Sequence, residues 1–363
     1  MRFSINQSEL LNALNVVQKG ISSRATLPVL SGVYLESRGD EITFQTTDLE
    51  MSVQYTAAAL VEEEGAIVLP GKLFIDIVKN LPDAAVHLES SDEGAIITCE
   101  SSSFSIRVLN AADYPAFPQI SPEKQITVPF DEFSIMAKKV CRVVSKDESR
   151  MILTGVYIAV EQNVLKLVAT DSYRLAVTEK PLEGNIEDFS AVLAGSFVSN
   201  LAGLPRTGGN ISIALAENQV IVSYGGTVFV NRRIEGRFPN YKQLIPSSYE
   251  TRCIIKRSDF TGAVKRASLL DNSGSQVKFS INGATQTVQL NTTQEVGSTQ
   301  EIVKAEIEGA DVEIGFNSFY VMEGLNAMNS NEVSLELQGS LKPGIIKGSA
   351  DEGYLYLVMP VRI

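Results

Sequence analysis

The sequence predicts an α+β protein made of three repeated domains, each with two helices and an antiparallel sheet. Three observations lead to this reading. The first is internal repetition. Leu30-Ser31-Gly32-Val33-Tyr34-Leu35 recurs as Leu153-Thr154-Gly155-Val156-Tyr157-Ile158, Thr47-Asp48 as Thr170-Asp171, and Leu81-Pro82 as Leu204-Pro205, all at an offset of 123. The second is periodicity: each copy alternates helix-like 3.6-residue and strand-like two-residue hydrophobic spacing. The third is length: three units of about 121 residues fill the 363-residue chain, leaving no room for another domain.

The elements follow in order. In the first unit an amphipathic helix over 7–19 places Leu10, Leu11, Leu14 and Val17 on one face. Alternating strands are expected over 43–47 and 51–57. A second helix over 71–81 begins after Leu69-Pro70 and stops before Pro82. Strands over 86–88, 95–100 and 104–109 complete the unit. The second unit places its helices at 131–144 and 196–204, and the third at 258–270 and 317–328. The third copy diverges most: Thr293 keeps the 123-residue offset from Thr170, but Gln294 replaces the aspartate. Domain boundaries are expected to give 1–120, 121–246 and 247–363, with breaks near Pro118-Gln119-Ile120 and Ile245-Pro246-Ser247. About eight strands per unit leave one sheet face for the helices to cover.

Composition removes several function classes. His87 is the single histidine, and Cys99, Cys141 and Cys253 lie far apart. Zinc sites and Ser–His–Asp or Cys–His machinery need more than this. No phosphate-cradling glycine motif occurs; Thr207-Gly208-Gly209-Asn210 reads as a turn. Scattered thiols and the lack of a continuous apolar leader point to the cytoplasm. No apolar run reaches the ~18 residues of a membrane span. No cofactor is implied.

Net charge is −12, which opposes nucleic-acid binding when taken as a sum. Its distribution tells more. The six helical segments, with the loop residues that end them, carry +5, so the remainder carries −17. Helix-dipole complementation accounts for part of this, since Asp131, Glu132 and Asp259 stand at helix starts and Lys138, Arg142, Lys265 and Arg266 later. The sharper reading is a shared helical surface that meets a polyanion without reading its sequence, while the acidic exterior repels it.

Several stretches now carry a resemblance. They are Thr26-Leu27-Pro28-Val29-Leu30, Ala169-Thr170-Asp171-Ser172-Tyr173-Arg174-Leu175-Ala176, Arg237-Phe238-Pro239-Asn240-Tyr241, Glu313-Ile314-Gly315-Phe316-Asn317 and the terminal Val358-Met359-Pro360-Val361-Arg362-Ile363. From Met1 to Ile363 the chain resembles the bacterial β sliding clamp family, the processivity subunits of DNA polymerase III. The resemblance implies the DNA clamp fold: a head-to-tail homodimeric ring of six similar domains, helices lining the hole, with double-stranded DNA threaded through it. It implies a non-enzyme that tethers the replicative polymerase, is placed on DNA by a clamp loader, and receives other polymerases and repair proteins through short peptides.

Carried across by position, the partner-peptide pocket implied by the resemblance comprises Leu153, Thr170, Ser172, Tyr173, Arg174, Leu175, Pro239, Leu244, Asn317, Tyr320, Leu341, Leu357, Met359, Pro360, Val361 and Arg362. Aliphatic walls would take an apolar anchor, while Arg174, Arg362 and Asn317 would hold polar peptide groups. Ser172-Tyr173 replaces a Gly-His of well-known members, and Gln243 stands where an arginine is common. The expected DNA contacts are Arg24, Lys72, Lys79, Lys138, Lys139, Arg142, Lys146, Arg150, Arg206, Lys265 and Arg266, with Arg24 and the Lys146–Arg150 loop foremost. The dimer interface is expected at Phe104, Ser268 and Leu269, Ser268 being smaller than the usual aliphatic residue there.

Plainer readings stand beside these. Leu153, Leu175 and Leu357 also fit a core role, Met359 to Ile363 a frayed tail, and Thr170-Asp171 a turn. A repeat-built scaffold that never encircles DNA would equally lack catalytic groups. A metal-dependent nuclease would need clustered carboxylates such as Asp48, Glu50 and Asp171.

Overall fold

The computed structural model describes residues 1–22, 27–91, 94–270 and 276–362. Six α-helices occur among them: α1 (Gln7–Val17), α2 (Gly71–Lys79), α3 (Phe130–Cys141), α4 (Gly195–Ala202), α5 (Arg257–Ala267) and α6 (Ser318–Asn326). That is two per repeat, as the periodicity requires. The described strands number nine, eight and ten in the three repeats. α1 and α5 each tighten into a 3₁₀ turn, Gln18–Gly20 and Ser268–Leu270. α1 buries Leu10, Ala13, Leu14, Val16 and Val17, so Ala13 and Val16 replace Leu11 on the predicted face. The strand expected over 104–109 runs instead over Ser102–Ile106, and Leu109 makes only an isolated bridge to Val68. Gly208 and Gly209 both take positive φ, as the predicted turn demands.

The chain divides into two compact units, Met1–Phe133 with Gly203–Arg233, and Ser134–Ala202 with Ile234–Ile363. In the first unit a five-stranded sheet runs Leu60–Glu63, Arg2–Asn6, Ala85–Ser90, Ala95–Cys99, Ser102–Ile106. An eight-stranded sheet runs Lys124–Pro129, Asn210–Leu215, Gln219–Tyr224, Thr227–Arg232, Met51–Ala58, Glu41–Thr47, Gly32–Arg38, Gly65–Pro70. This sheet crosses from the middle repeat to the first where Thr227 faces Tyr55, Phe229 faces Val53 and Asn231 faces Met51, all antiparallel.

The second unit repeats the device. Its nine-stranded sheet runs Phe189–Ala194, Gly155–Glu161, Val164–Thr170, Arg174–Pro181, Tyr354–Val358, Gly344–Gly348, Glu332–Leu337, Thr251–Lys256, Glu306–Gly309. The middle and third repeats join where Arg174 faces Val358 and Thr178 faces Tyr354. A five-stranded sheet runs Gly297–Lys304, Thr287–Gln294, Val277–Asn282, Val312–Phe316, Pro360–Val361. The last pairing puts Pro360 opposite Phe316 and Val361 opposite Gly315, so the end of the chain is sheet through Val361 and not a frayed tail.

The Leu-x-Gly-Val-Tyr repeat has a packing cause. Gly32 and Gly155 each open a strand at ordinary φ, −95° and −101°. A Cβ at Gly32 would sit 2.4 Å from Val68 Cγ1, and one at Gly155 would sit 2.4 Å from Val192 Cγ1 and 3.0 Å from the Leu193 carbonyl. The glycine therefore permits close strand approach in both repeats. Gly155→Ala is expected to cost about 1–3 kcal/mol through overpacking, read as a lower urea midpoint at unchanged slope.

Candidate functional site

The second unit gathers the predicted pocket residues. Its floor is a buried cluster containing Val168, Leu175, Val177, Val192, Phe238, Tyr241, Ile345 and Leu357, with Ile152, Tyr157, Ile245 and Met359 packed against it. Phe238 stacks on Tyr157 at 5.2 Å, so the Arg237-Phe238-Pro239-Asn240-Tyr241 stretch is anchored by its aromatic rings. Leu153, Leu175 and Leu357 are buried; the core role proposed for them holds as a statement of burial. Pro239, Leu244 and Leu341 lie exposed.

The Thr170-Asp171 pair builds a turn. Asp171 Oδ1 accepts the backbone N–H groups of Tyr173 at 2.9 Å and Arg174 at 3.0 Å. Thr170 Oγ1 donates to the Arg174 carbonyl at 2.7 Å and accepts from the Ser172 N–H at 3.1 Å. Ser172 is thereby held at φ 80°, a left-handed conformation usually given to glycine. The first unit contains the same turn: Asp48 Oδ1 accepts from Glu50 at 3.0 Å and Met51 at 2.7 Å, Thr47 Oγ1 donates to the Met51 carbonyl at 3.0 Å, and Leu49 has φ 77°. The repeated Thr-Asp is structural in both places.

Arg174 is only 7% exposed and has a partner for each nitrogen. Nε donates to Asp171 Oδ2 at 3.0 Å, Nη1 to Glu323, and Nη2 to the Arg142 carbonyl at 3.1 Å. Its guanidinium lies 4.5 Å from the centre of the Tyr320 ring. Tyr320 stacks in turn on the exposed Tyr173 at 6.1 Å, and its carbonyl accepts the Tyr356 hydroxyl at 2.8 Å. Asn317 caps α6, its Oδ1 accepting the Tyr320 N–H at 3.2 Å. The Met359 N–H donates to the Tyr173 carbonyl at 2.8 Å, leading into Pro360 and Val361, both half-buried, and the exposed Arg362. The result is an apolar floor with two tyrosines and the C-terminal segment around it, suited to an apolar side chain carried on a short peptide.

The predicted DNA contacts fall into distinct electrostatic classes. Lys72, Lys79, Lys138, Arg142, Lys146 and Lys265 are exposed, and none makes an ion pair among the described residues. Arg150 pairs with Asp147 at 2.8 Å and also donates to Ser172 Oγ at 3.0 Å. Arg206 lies 3.4 Å from Asp131, and Arg266 holds Glu301 through two bonds of 3.0 and 2.6 Å. Lys139 is different: its side chain is 11% exposed, 2.6 Å from the buried Asp351 and over the Tyr354 ring. Burial opposes the charge on Asp351, but the bonds from Lys139 and Ser330 outweigh it and hold the carboxyl below its ordinary range. Arg24 lies outside the described residues. At the other predicted site, Phe104 is partly exposed on the edge strand Ser102–Ile106, Ser268 is half-buried, and Leu269 is 73% exposed in the turn ending α5.

Comparison with known proteins matches this architecture along its whole length. The family models for the DNA polymerase III beta subunit match in order: the N-terminal domain over residues 1–118, the central domain over 127–240 and the C-terminal domain over 242–362. The chain belongs to the DNA polymerase III beta subunit family. The beta sliding clamps of Staphylococcus epidermidis and Staphylococcus aureus are each 33% identical to it, over 100% of this chain and 99% of theirs. The solved DNA polymerase sliding clamp of Bacillus subtilis superposes with TM-score 0.95 at 30% identity, covering 100% of this chain and 99% of that one. The DNA polymerase III beta chain of Streptococcus pneumoniae gives TM-score 0.95 at 27% identity and full coverage of both. The three-domain clamp fold follows.

Seen as a sliding clamp, the chain holds one site residue that spacing alone did not expose. Glu323 stands in α6, one turn beyond Tyr320, and closes the ion pair on Arg174 from the third repeat. No sequence offset links 174 to 323; only the Arg174–Val358 strand pairing brings the two elements together. The only sequence cue was that Glu323 is the sole charge in its helix. Glu323→Ala leaves the buried guanidinium with one carboxylate fewer and is expected to cost about 2–3 kcal/mol in urea unfolding, with Glu323→Gln retaining part of it.

Proposed function

We propose that this sliding clamp closes head-to-tail with a second copy into a ring, encloses double-stranded DNA without reading its sequence, and tethers the replicative polymerase to its template. The observation that carries the ring is the state of three equivalent sheet edges. Met51–Ala58, Arg174–Pro181 and Gly297–Lys304 begin at successive offsets of 123. The first pairs with Thr227–Arg232 and the second with Tyr354–Val358. The third is the outer edge of its sheet, as is Ser102–Ile106 in the first repeat. An exposed edge strand is a template for another chain, and a heterologous contact that closes makes a ring. By repeat equivalence, Phe104 of one protomer meets the 299–301 stretch of its partner. Ile302 and Val296, 60% and 73% exposed, suit a surface that the partner covers. The turn holding Leu269 follows α5, which Arg266 ties to Glu301 on this strand.

In this reading the domains are 1–120, 121–246 and 247–363. DNA meets the exposed cations Lys72, Lys79, Lys138, Arg142, Lys146 and Lys265, with Arg24. Arg150, Arg206 and Arg266 act more weakly because carboxylates already face them, and Lys139 is answered inside the fold by Asp351. The pocket built on Leu175, Leu357, Tyr173, Tyr320 and Met359 takes the peptide segments of the polymerase, the clamp loader and repair proteins. Tethering raises the polymerase's local concentration at the primer end without any catalysis by the clamp itself. The compartment is the cytoplasm, in keeping with three free thiols and with described helices none of which is long and apolar enough to cross a membrane.

Threading is tested by loading the labelled protein onto nicked circular plasmid with a bacterial clamp loader and ATP, then cutting the plasmid once. Retention on circles and loss from linear DNA is expected; equal retention on both would replace the ring by ordinary phosphate binding. Leu269→Asp is expected to halve the solution mass while leaving the circular dichroism spectrum unchanged. An unaltered mass would remove Leu269 from the interface.

A further inference from the structure

The strands Ser102–Ile106, Thr227–Arg232 and Tyr354–Val358 are equivalent in the three repeats, and the last two carry the joints within the chain. Three residues before their starts stand Cys99, Tyr224 and Asp351. Each ties its strand back to the segment that follows the second helix of its repeat. Cys99 Sγ reaches the Pro82 carbonyl at 3.6 Å, and the Tyr224 hydroxyl donates to the Pro205 carbonyl at 3.1 Å, which gives the recurring Leu-Pro its place. The Tyr224 oxygen also accepts the Thr207 N–H at 3.1 Å. Asp351 accepts from Ser330, the residue at the Thr207 offset, through its N–H at 3.0 Å and its hydroxyl at 2.6 Å.

Only Asp351 of the three is an anion, and only it is met by a cation from the neighbouring repeat. Lys139 of α3 crosses the second joint to within 2.6 Å of it, the two side chains being 11% and 2% exposed, and lies 4.6 Å from the centre of the Tyr354 ring. At the first joint the residue at the Lys139 offset is Val16, and Thr227 takes the place of Tyr354. No ion pair can form between Val16 and Tyr224. Here lies a cavity of about 40 Å³, with Asn12, Val16 and Tyr55 on one side and Thr207, Tyr224 and Thr227 on the other. The pair Arg232–Glu50 at this joint is exposed at both ends and 3.8 Å apart, where water competes and little geometry is fixed. A buried pair fixes much more: any slide that parts the two charges leaves both desolvated and unanswered. Side chains bordering a cavity forfeit few contacts when they move into it.

We propose that Lys139 and Asp351 lock the second joint, so that the middle and third repeats move as one body, and that the chain bends at its first joint. The lock stands on the geometry of the single chain. Its use rests on the ring reading: a closed ring yields at one joint in each protomer, while the pocket on the locked joint keeps its shape for partner peptides. At the positions where the ring would close, the offsets give Gly262 and Cys99, which also lack the pair. The second joint is thus the one that the sequence equips to stay shut.

The test is native-state amide hydrogen exchange of the full-length protein, read by mass spectrometry and corrected for intrinsic rates. In the unaltered protein Thr227–Arg232 is expected to exchange about tenfold faster than Tyr354–Val358. Lys139→Val puts the first repeat's residue into the second joint. It is expected to speed exchange of Tyr354–Val358 and Arg174–Pro181 about tenfold, with Val277–Asn282 in the same unit unchanged. Lys139→Arg, which keeps the cation, is expected to restore protection. Val16→Ile, which adds one carbon beside the cavity, is expected to slow exchange of Thr227–Arg232. Equal protection of the two joint strands in the unaltered protein would overturn the proposal. A rise in Lys139→Val that includes Val277–Asn282 would show plain loss of stability and would overturn the lock. Exchange is read on free protein, so failure of plasmid threading would remove the ring and leave the lock standing on these rates.

Discussion

A strand at the edge of a sheet presents a line of N–H and C=O groups that must find partners or remain in water. The architecture follows from how this chain closes those lines. Each repeat covers one sheet face with its two helices but leaves strands at the margin. The chain joins its repeats by pairing one margin with the next, so the repeats meet through backbone hydrogen bonds and not only through side-chain packing. Register is then fixed twice, by the hydrogen-bond ladder and by the alternation of buried and exposed residues. A one-residue insertion within Met51–Ala58 or Arg174–Pro181 would move the rest of that strand's side chains to the opposite face of the sheet.

The two joints within the chain share a backbone and differ in side chains, which explains why only one carries the candidate pocket. In the first unit the Arg232 N–H donates to the Glu50 carbonyl at 3.1 Å. In the second the Met359 N–H donates to the Tyr173 carbonyl at 2.8 Å, the equivalent bond. At the first joint those residues are an arginine and a glutamate, 3.8 Å apart across the surface. At the second they are a methionine and a tyrosine, which leave an apolar mouth. The residue that ends the turn is Met51 in one and Arg174 in the other. A buried guanidinium needs acceptors on all sides, and Asp171, Glu323 and the Arg142 carbonyl supply them from three separate segments of one unit. The candidate pocket thus differs from the first joint at three positions: Tyr173 for Glu50, Arg174 for Met51 and Met359 for Arg232.

This division also sets what could be read in the sequence. Local rules act over a few residues, so the six helices and the Thr-Asp turns were legible from spacing. The repeat carried the fold class, because recurrence at one offset constrains topology more than any single motif. Non-local closures were not legible. Nothing in the pattern around Lys139 announces Asp351, a carboxylate 212 residues away that offsets its charge. Nothing around Arg174 announces Glu323. The end of the chain misleads for the same reason: Met359 to Val361 lacks helical or strand-length periodicity, yet its partners, Tyr173 and the Val312–Phe316 strand, make it sheet. The family resemblance supplied the pocket residues that physical patterning could not distinguish from core.

The charge distribution bears on why such a protein can be acidic. Of the cations expected to meet DNA, Lys139, Arg150, Arg206 and Arg266 already face carboxylates in the fold. A protein that held DNA by affinity would gain from freeing them, because each phosphate neutralised releases counterions. A ring has the opposite need. If residence on DNA comes from topology, affinity adds only friction, and each strong contact becomes a barrier to sliding. Internal neutralisation then removes charge where it would hinder sliding. An excess of acid on the remainder of the chain favours alignment of the helical surface with the duplex and disfavours every other approach. The net charge of −12 is thus compatible with DNA contact because the fold, not the sum, decides which charges the duplex meets.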